Sequence, residues 1–210
     1  TISLDLGIPT PILVDLDGDG DLDLVAGAVD GTLRYYRNTG TTAAPVYVEL
    51  TGTANPLAAI DAGTKSAPAF VDLNDDGDLD LVLGAGDGTL RYFENTGTVA
   101  AQFYVERTGK GANPNPFHGI DAGTDSAPTL ADLNNDGDLD LVVGVSDGTP
   151  RYYENTGTAA LPAIAERTGQ SPLSVSFGST LPLIAFGGQG DDSITGGTAD
   201  DILFGDRGRM

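Results

Sequence analysis

The chain has 210 residues, 40% of them hydrophobic, with 30 glycines, no cysteine and a formal net charge of −21. Thirty-one acidic against ten basic side chains repel nucleic-acid phosphates and anionic membranes unless a cation bridges them, and the lack of cysteine excludes disulfides, thiolate metal sites and a cysteine nucleophile. The apolar share suffices for a core, yet no apolar run approaches the roughly 20 residues of a membrane-spanning helix.

Residues 1–14 read as the end of an incoming repeat, ISLDLG, and a first strand, PILVD. The chain opens at Thr1 without methionine, which we read as a processed product or a fragment. The acidic loop DLDGDGDLD follows at Asp15–Asp23. A second apolar run, LDLVAGA, leaves it and ends at the Asp30–Gly31 turn, a hairpin signal. A third strand, TLRYYRN, and a fourth, PVYVEL, are separated by the NTG turn at Asn38. This first unit spans 15–71. A second spans 72–131 and a third 132–170, with the loops DLNDDGDLD at Asp72–Asp80 and DLNNDGDLD at Asp132–Asp140. Four short strands per unit of about 60 residues, with no helical periodicity, predict an all-β chain of propeller-type four-stranded blades.

Each loop places oxygen-bearing side chains at positions 1, 3, 5 and 9, and up to five carboxylates within nine residues repel one another unless a cation lies among them. Calcium, a hard ion taking six to eight oxygens, fits that donor set. The side-chain ligands expected are Asp15, Asp17, Asp19 and Asp23; Asp72, Asn74, Asp76 and Asp80; and Asp132, Asn134, Asp136 and Asp140. Asp21, Asp78 and Asp138, at position 7, would contribute backbone carbonyls. Gly20, Gly77 and Gly137 stand where the backbone turns sharply, and the leucines at positions 2 and 8 are expected to anchor the loop to a core. An EF-hand needs a bidentate glutamate at position 12, where this chain has Ala26, Leu83 or Val143. Magnesium prefers fewer protein ligands and retained waters. Three filled calcium loops would bring the net charge to about −15, still acidic.

The loops, with the shared DGT, RYY/RYF, NTG and AGTxSAP segments, resemble the FG-GAP or VCBS repeats of bacterial surface proteins, related to the blades of integrin α-subunit propellers, over about Ile8 to Gly169. In those families the loop joins the first two strands and binds calcium. Pro150 departs from Leu33 and Leu90 and predicts that this third strand is locally irregular or edge-like, because proline donates no ladder hydrogen bond.

Residues 171–186 begin like another repeat: Ser171, Pro172 and Leu173 echo Asn55, Pro56 and Leu57. No acidic loop follows. Instead, residues 187–210 form a glycine/aspartate tail with GGQGDDSIT and GGTADDILF, which resemble RTX (haemolysin-type) nonapeptides. By that resemblance Asp192 and Asp201 are further calcium ligands, in a parallel β-roll of a type I secretion cargo.

Three complete units with partial units at both ends do not close a ring of four to eight blades. A truncated chain, a small open or four-bladed ring, and completion by other chains are the three resolutions. The last implies a homo-oligomer or a head-to-tail filament.

Catalytic signatures are missing. His118, the only histidine, sits in a Pro/Asn-rich loop and reads as an exposed loop residue, and the clustered carboxylates are committed to the loops. We therefore expect a non-enzymatic, secreted or cell-surface, calcium-stabilised adhesion or assembly scaffold, with glycans or surface proteins as further partners. Two rival readings are a lectin-like propeller, whose repeated Arg–Tyr pairs line sugar pockets, and a polysaccharide-active enzyme. The alternative for those pairs is structural, with tyrosine packed between blades and arginine on a neighbouring carboxylate.

Overall fold

A computed structural model describes residues 10–109, 114–158 and 162–167, and the short strands at 174–176, 184–186, 193–195 and 202–204. The first sheet is a meander of β1 (Thr10–Val14), β2 (Asp23–Gly27), β3 (Leu33–Asn38) and β4 (Tyr47–Leu50). The second repeats it with β5 (Ala67–Val71), β6 (Asp80–Gly84), β7 (Leu90–Asn95) and β8 (Tyr104–Arg107). The third uses β9 (Ala127–Ala131), β10 (Asp140–Gly144), β11 (Arg151–Asn155) and β12 (Ile164–Glu166). All pairings within these sheets are antiparallel. The chain is therefore all-β, built of three four-stranded blades as its sequence predicts.

The blades stack face to face, with β1 against β5 and β5 against β9. That stacking explains why the second strands read as unbroken apolar runs, since a strand covered on both sides needs no polar face. Every residue of β6 is buried. Leu81, Leu83 and Phe93 pack towards the first blade with Val25, Leu33 and Tyr35. Val82, Leu90 and Tyr92 pack towards the third with Leu141, Val143 and Tyr153. The core thus lies between blades.

Each junction is also pinned by backbone and serine contacts. Ser66 donates to the Thr32 carbonyl (2.7 Å) and accepts from the Ala28 amide (2.8 Å); Ser126 does the same towards Thr89 (3.2 Å) and Ala85 (3.0 Å). Gly27 and Gly84 let these serine backbones approach, since a Cβ would lie 1.9 Å from the Ser66 carbonyl oxygen or 2.1 Å from that of Ser126.

Strand β11 starts at Arg151, one position later in register than β3 and β7, so Pro150 stays outside the ladder as expected. Further on, β13 (Ser174–Ser176) pairs parallel with β15 (Ser193–Thr195), and β14 (Ile184–Phe186) pairs parallel with β16 (Ile202–Phe204). This alternation links the segment read as a partial repeat with the glycine/aspartate tail. No helix among the described residues is long and apolar enough to cross a membrane.

Candidate metal centre

Each acidic loop joins the first strand of a blade to the second and is folded by its own side chains. In the first, Asp15 accepts from the amides of Gly18 (2.9 Å) and Gly20 (3.0 Å), Asp17 from Asp19 (3.3 Å) and Asp19 from Asp21 (3.0 Å). In the second, Asp72 accepts from Asp76 (3.0 Å) and Gly77 (2.9 Å), Asn74 from Asp76 (3.1 Å) and Asp76 from Asp78 (3.0 Å). The third loop repeats this wiring through Asp132, Asn134 and Asp136. Position 4 is left-handed in all three (Gly18 φ 74°, Asp75 φ 60°, Asn135 φ 62°), as is the glycine at position 6. Asp and Asn tolerate that conformation better than other residues with a Cβ. Glycine at position 18 has its own reason: a Cβ there would meet Val99 of the second blade at 2.2 Å.

Carboxylate oxygens of Asp15, Asp17 and Asp19 lie within 4.8 Å of one another, close enough to share one ion. Oδ2 of Asp17 is buried and receives no directed hydrogen bond. A buried carboxylate oxygen without a donor is costly unless a cation compensates it, and Arg37 Nε, 2.6 Å away, supplies part of that charge. Burial, and next the charge of Asp23, push the Asp17 pKa up, while Arg37 opposes them. These features fit a hard cation. The second and third loops carry asparagine at position 3, so of positions 1, 3 and 5 only the first and last supply carboxylates there, and the Asn74 and Asn134 amides donate to Asp76 and Asp136 at 2.8 Å.

The aspartates at position 9 have a second task. Asp23, Asp80 and Asp140 are fully buried. Oδ2 of Asp80 accepts from the Tyr92 hydroxyl (2.7 Å) and the Leu73 amide (3.3 Å), and Oδ1 from the Asn95 amide (2.8 Å). Asp23 has the same three partners in Tyr35, Leu16 and Asn38, and Asp140 in Tyr152, Leu133 and Asn155. Three donors leave a carboxylate one of its roughly four acceptor positions, on Oδ1, which can still face an ion. Burial lifts the Asp80 pKa to about 6 against the pull of these hydrogen bonds. Burial, and then the carboxylate, push Tyr35, Tyr92 and Tyr152 well above the usual phenol range.

At position 7, the Asp21 side chain accepts from Thr42 and leaves its carbonyl for a ligand role. Leu16 and Leu73 are buried as expected at position 2, whereas Leu22 at position 8 is 47% exposed, so position 2 is the anchor in the first loop. The second and third loops flank a cleft of about 330 Å³ lined by Asp72, Asp75, Gly137, Leu139 and Asn155. Asp192 and Asp201 lie outside the described residues.

In the first two blades the Arg–Tyr pairs pack as the structural alternative describes, and Tyr152 of the third is partly buried. Tyr35, Tyr92 and the following Tyr36, Phe93 and Tyr153 are buried, and Arg34 and Arg91 pair with Glu49 (3.1 Å) and Glu106 (2.7 Å) on the neighbouring strand. No aromatic face of these five residues is open to a sugar. His118 is exposed, as its loop position predicts.

Two features escaped the sequence reading. The buried Asn38, Asn95 and Asn155 each accept two amides across the NTG turn, those of Gly40 and Val46, Gly97 and Phe103, and Gly157 and Ala163. Arg37 stands where the other blades have Glu94 and Glu154, a charge reversal visible in the aligned third strands.

A stack of antiparallel blades, each with an acidic nine-residue loop between its first two strands, defines a β-propeller-type repeat protein. The FG-GAP-like repeat profile matches residues 15–83 and 72–143, together more than half of the chain, and the chain belongs to that family. No curated protein matches it. Repeats of this family are typical of extracellular or surface proteins and typically non-enzymatic.

Proposed function

We propose that this protein is a secreted or cell-surface adhesion or assembly scaffold whose blades are stabilised by calcium in the three acidic loops. The observation carrying this reading is the convergence of Asp15, Asp17 and Asp19 within 4.8 Å, with the same loop wiring repeated in the second and third blades. Asp15, Asp17, Asp19, Asp23 and the Asp21 carbonyl would hold the first ion. Asp72, Asn74, Asp76, Asp80 and the Asp78 carbonyl would hold the second, and Asp132, Asn134, Asp136, Asp140 and the Asp138 carbonyl the third. Bound calcium supplies charge compensation and cross-links each loop, adding free energy only to the folded state. Extracellular modules of this kind bind with Kd of about 10⁻⁴–10⁻³ M, so millimolar calcium fills them.

The tail reading rests on the nonapeptide resemblance, by which Asp192 and Asp201 would be ligands, and the parallel, alternating pairing of β13–β16 suits an RTX-like roll. Self-association through the ends of the blade stack remains part of the proposal. Calorimetric titration with calcium, melting curves in calcium and in EDTA, and native mass in both conditions test it. Saturable uptake with a raised melting temperature is expected. No uptake and identical melting curves would overturn it, and a monodisperse calcium-loaded monomer removes the assembly component.

A further inference from the structure

The first blade differs from the other two at three linked positions. Its loop has Asp17 where the others have Asn74 and Asn134, its third strand has Arg37 where they have Glu94 and Glu154, and its fourth strand has Leu50 where they have Arg107 and Arg167. In the second blade Glu94 binds Arg107 across the strand pair (2.7 Å), and in the third Glu154 binds Arg167. The first blade has neither member of that pair. Its Arg37 turns instead to the loop, with Nε 2.6 Å from Asp17 Oδ2 and a terminal nitrogen 3.7 Å from Asp19 Oδ2. The Nε contact brings charge to Asp17 Oδ2 but lacks hydrogen-bond alignment, so this buried oxygen still has no directed donor.

We infer that Arg37 is a tethered counter-cation of the first loop, one that an incoming calcium ion must displace from Asp17. The inference rests on the calcium reading of the loops and adds a regulatory residue to it. The extra carboxylate at position 3 and the arginine that faces it form a matched change. Together they offset the extra charge of Asp17 in the metal-free loop and make its ion site differ from the two beside it. Arg37 is about half exposed, so a released guanidinium can move into solvent at little cost. A positive charge this close to the ion weakens binding by Coulomb repulsion as well as by competition for one oxygen. At aqueous screening the two effects amount to roughly tenfold in affinity.

The test uses the full chain carrying Asp76→Ala and Asp136→Ala, with Asp192→Ala and Asp201→Ala to silence the tail, so that calorimetry reports the first loop, with and without Arg37→Gln. Arg37→Gln is expected to raise calcium affinity about tenfold and to lower the melting temperature in EDTA, where the loop carboxylates lose their counter-charge. The double variant Arg37→Gln/Asp17→Asn should recover the EDTA melting temperature. In the unmodified protein, the Arg37 Nε–H resonance should move to the position of a free arginine as calcium is added. An unchanged affinity in Arg37→Gln, or an Arg37 resonance that stays put while calcium saturates the protein, overturns the inference and leaves the calcium reading standing. No calcium uptake in the unmodified protein overturns both.

Discussion

Lys65 and Asp125 occupy the same position of successive repeats, AGTKSAP and AGTDSAP, and bind each other at 2.6 Å across the junction between two blades. Both lie at left-handed turns, φ 51° and 59°, that hold the side chains outward beside the serines pinning the blades. Two identical residues here would repel; the alternation of charge turns a repeated position into a contact. The pair is partly exposed, so its contribution is small, about 0.2–1 kcal/mol, and screened by salt. Lys65→Asp should lower the urea midpoint at low ionic strength, and Lys65→Asp with Asp125→Lys should restore it. The difference should shrink in 0.5 M salt, about where the screening length falls well below 10 Å.

Equivalent glycines should differ in their tolerance of substitution. At Gly84 a methyl group would lie 2.1 Å from the Ser126 carbonyl oxygen, whereas at Gly144 the nearest atom among the described residues stands 3.8 Å away. Gly84→Ala must push two blades apart and should cost about 1–3 kcal/mol, as overpacked cores do. Gly144→Ala should stay within about 0.5 kcal/mol. Chemical denaturation of the two variants decides it, and equal losses would mean that the blade junction is not as close as described.

Much of this architecture is legible in the chain because each device occurs three times. The DG turns, the acidic loops and the apolar runs fix the strand order, and Pro150 announces the late start of β11. Depth is harder to read. The aspartates at position 9 look like those at positions 1 and 5 until the third strand brings Tyr92 and Asn95 behind Asp80. Arg37 is visible as a reversed charge, but that it faces Asp17 of the loop, where Glu94 faces Arg107 on the next strand, shows only in three dimensions. In the segment 171–186, three residues of likeness to the blades say nothing of pairing direction, and its strands join forward in parallel.

The phenol–carboxylate bond behind each loop should contribute more than an ordinary hydrogen bond. Tyr92→Phe leaves one oxygen of the buried Asp80 without its hydroxyl donor, and bonds to charged groups are worth about 1.5–3 kcal/mol. Tyr104→Phe is the control: its hydroxyl donates to the neutral carbonyl of Leu79 at 3.2 Å, so its loss should be closer to 1 kcal/mol. Equal effects in calcium-free denaturation would deny the carboxylate its role as an anchor for the third strand.

The same buried carboxylate makes the calcium effect depend on pH in a defined direction. Asp80 titrates near 6 in the folded chain against 3.8 for its unperturbed group, so the folded state holds the proton more tightly than the unfolded one. Its contribution to stability is therefore greatest below the unfolded pKa and declines as pH rises through about 6. Asp17 is shifted the same way. In EDTA the protein should become more stable as the pH is lowered from 7 to 5. In calcium the proton competes with the ion for Asp80 and Asp17, so the stabilisation by calcium should shrink over the same interval. Melting temperatures at pH 5, 6 and 7, with calcium and with EDTA, measure the gap. A gap that widens towards pH 5 would show that these carboxylates do not face the ion.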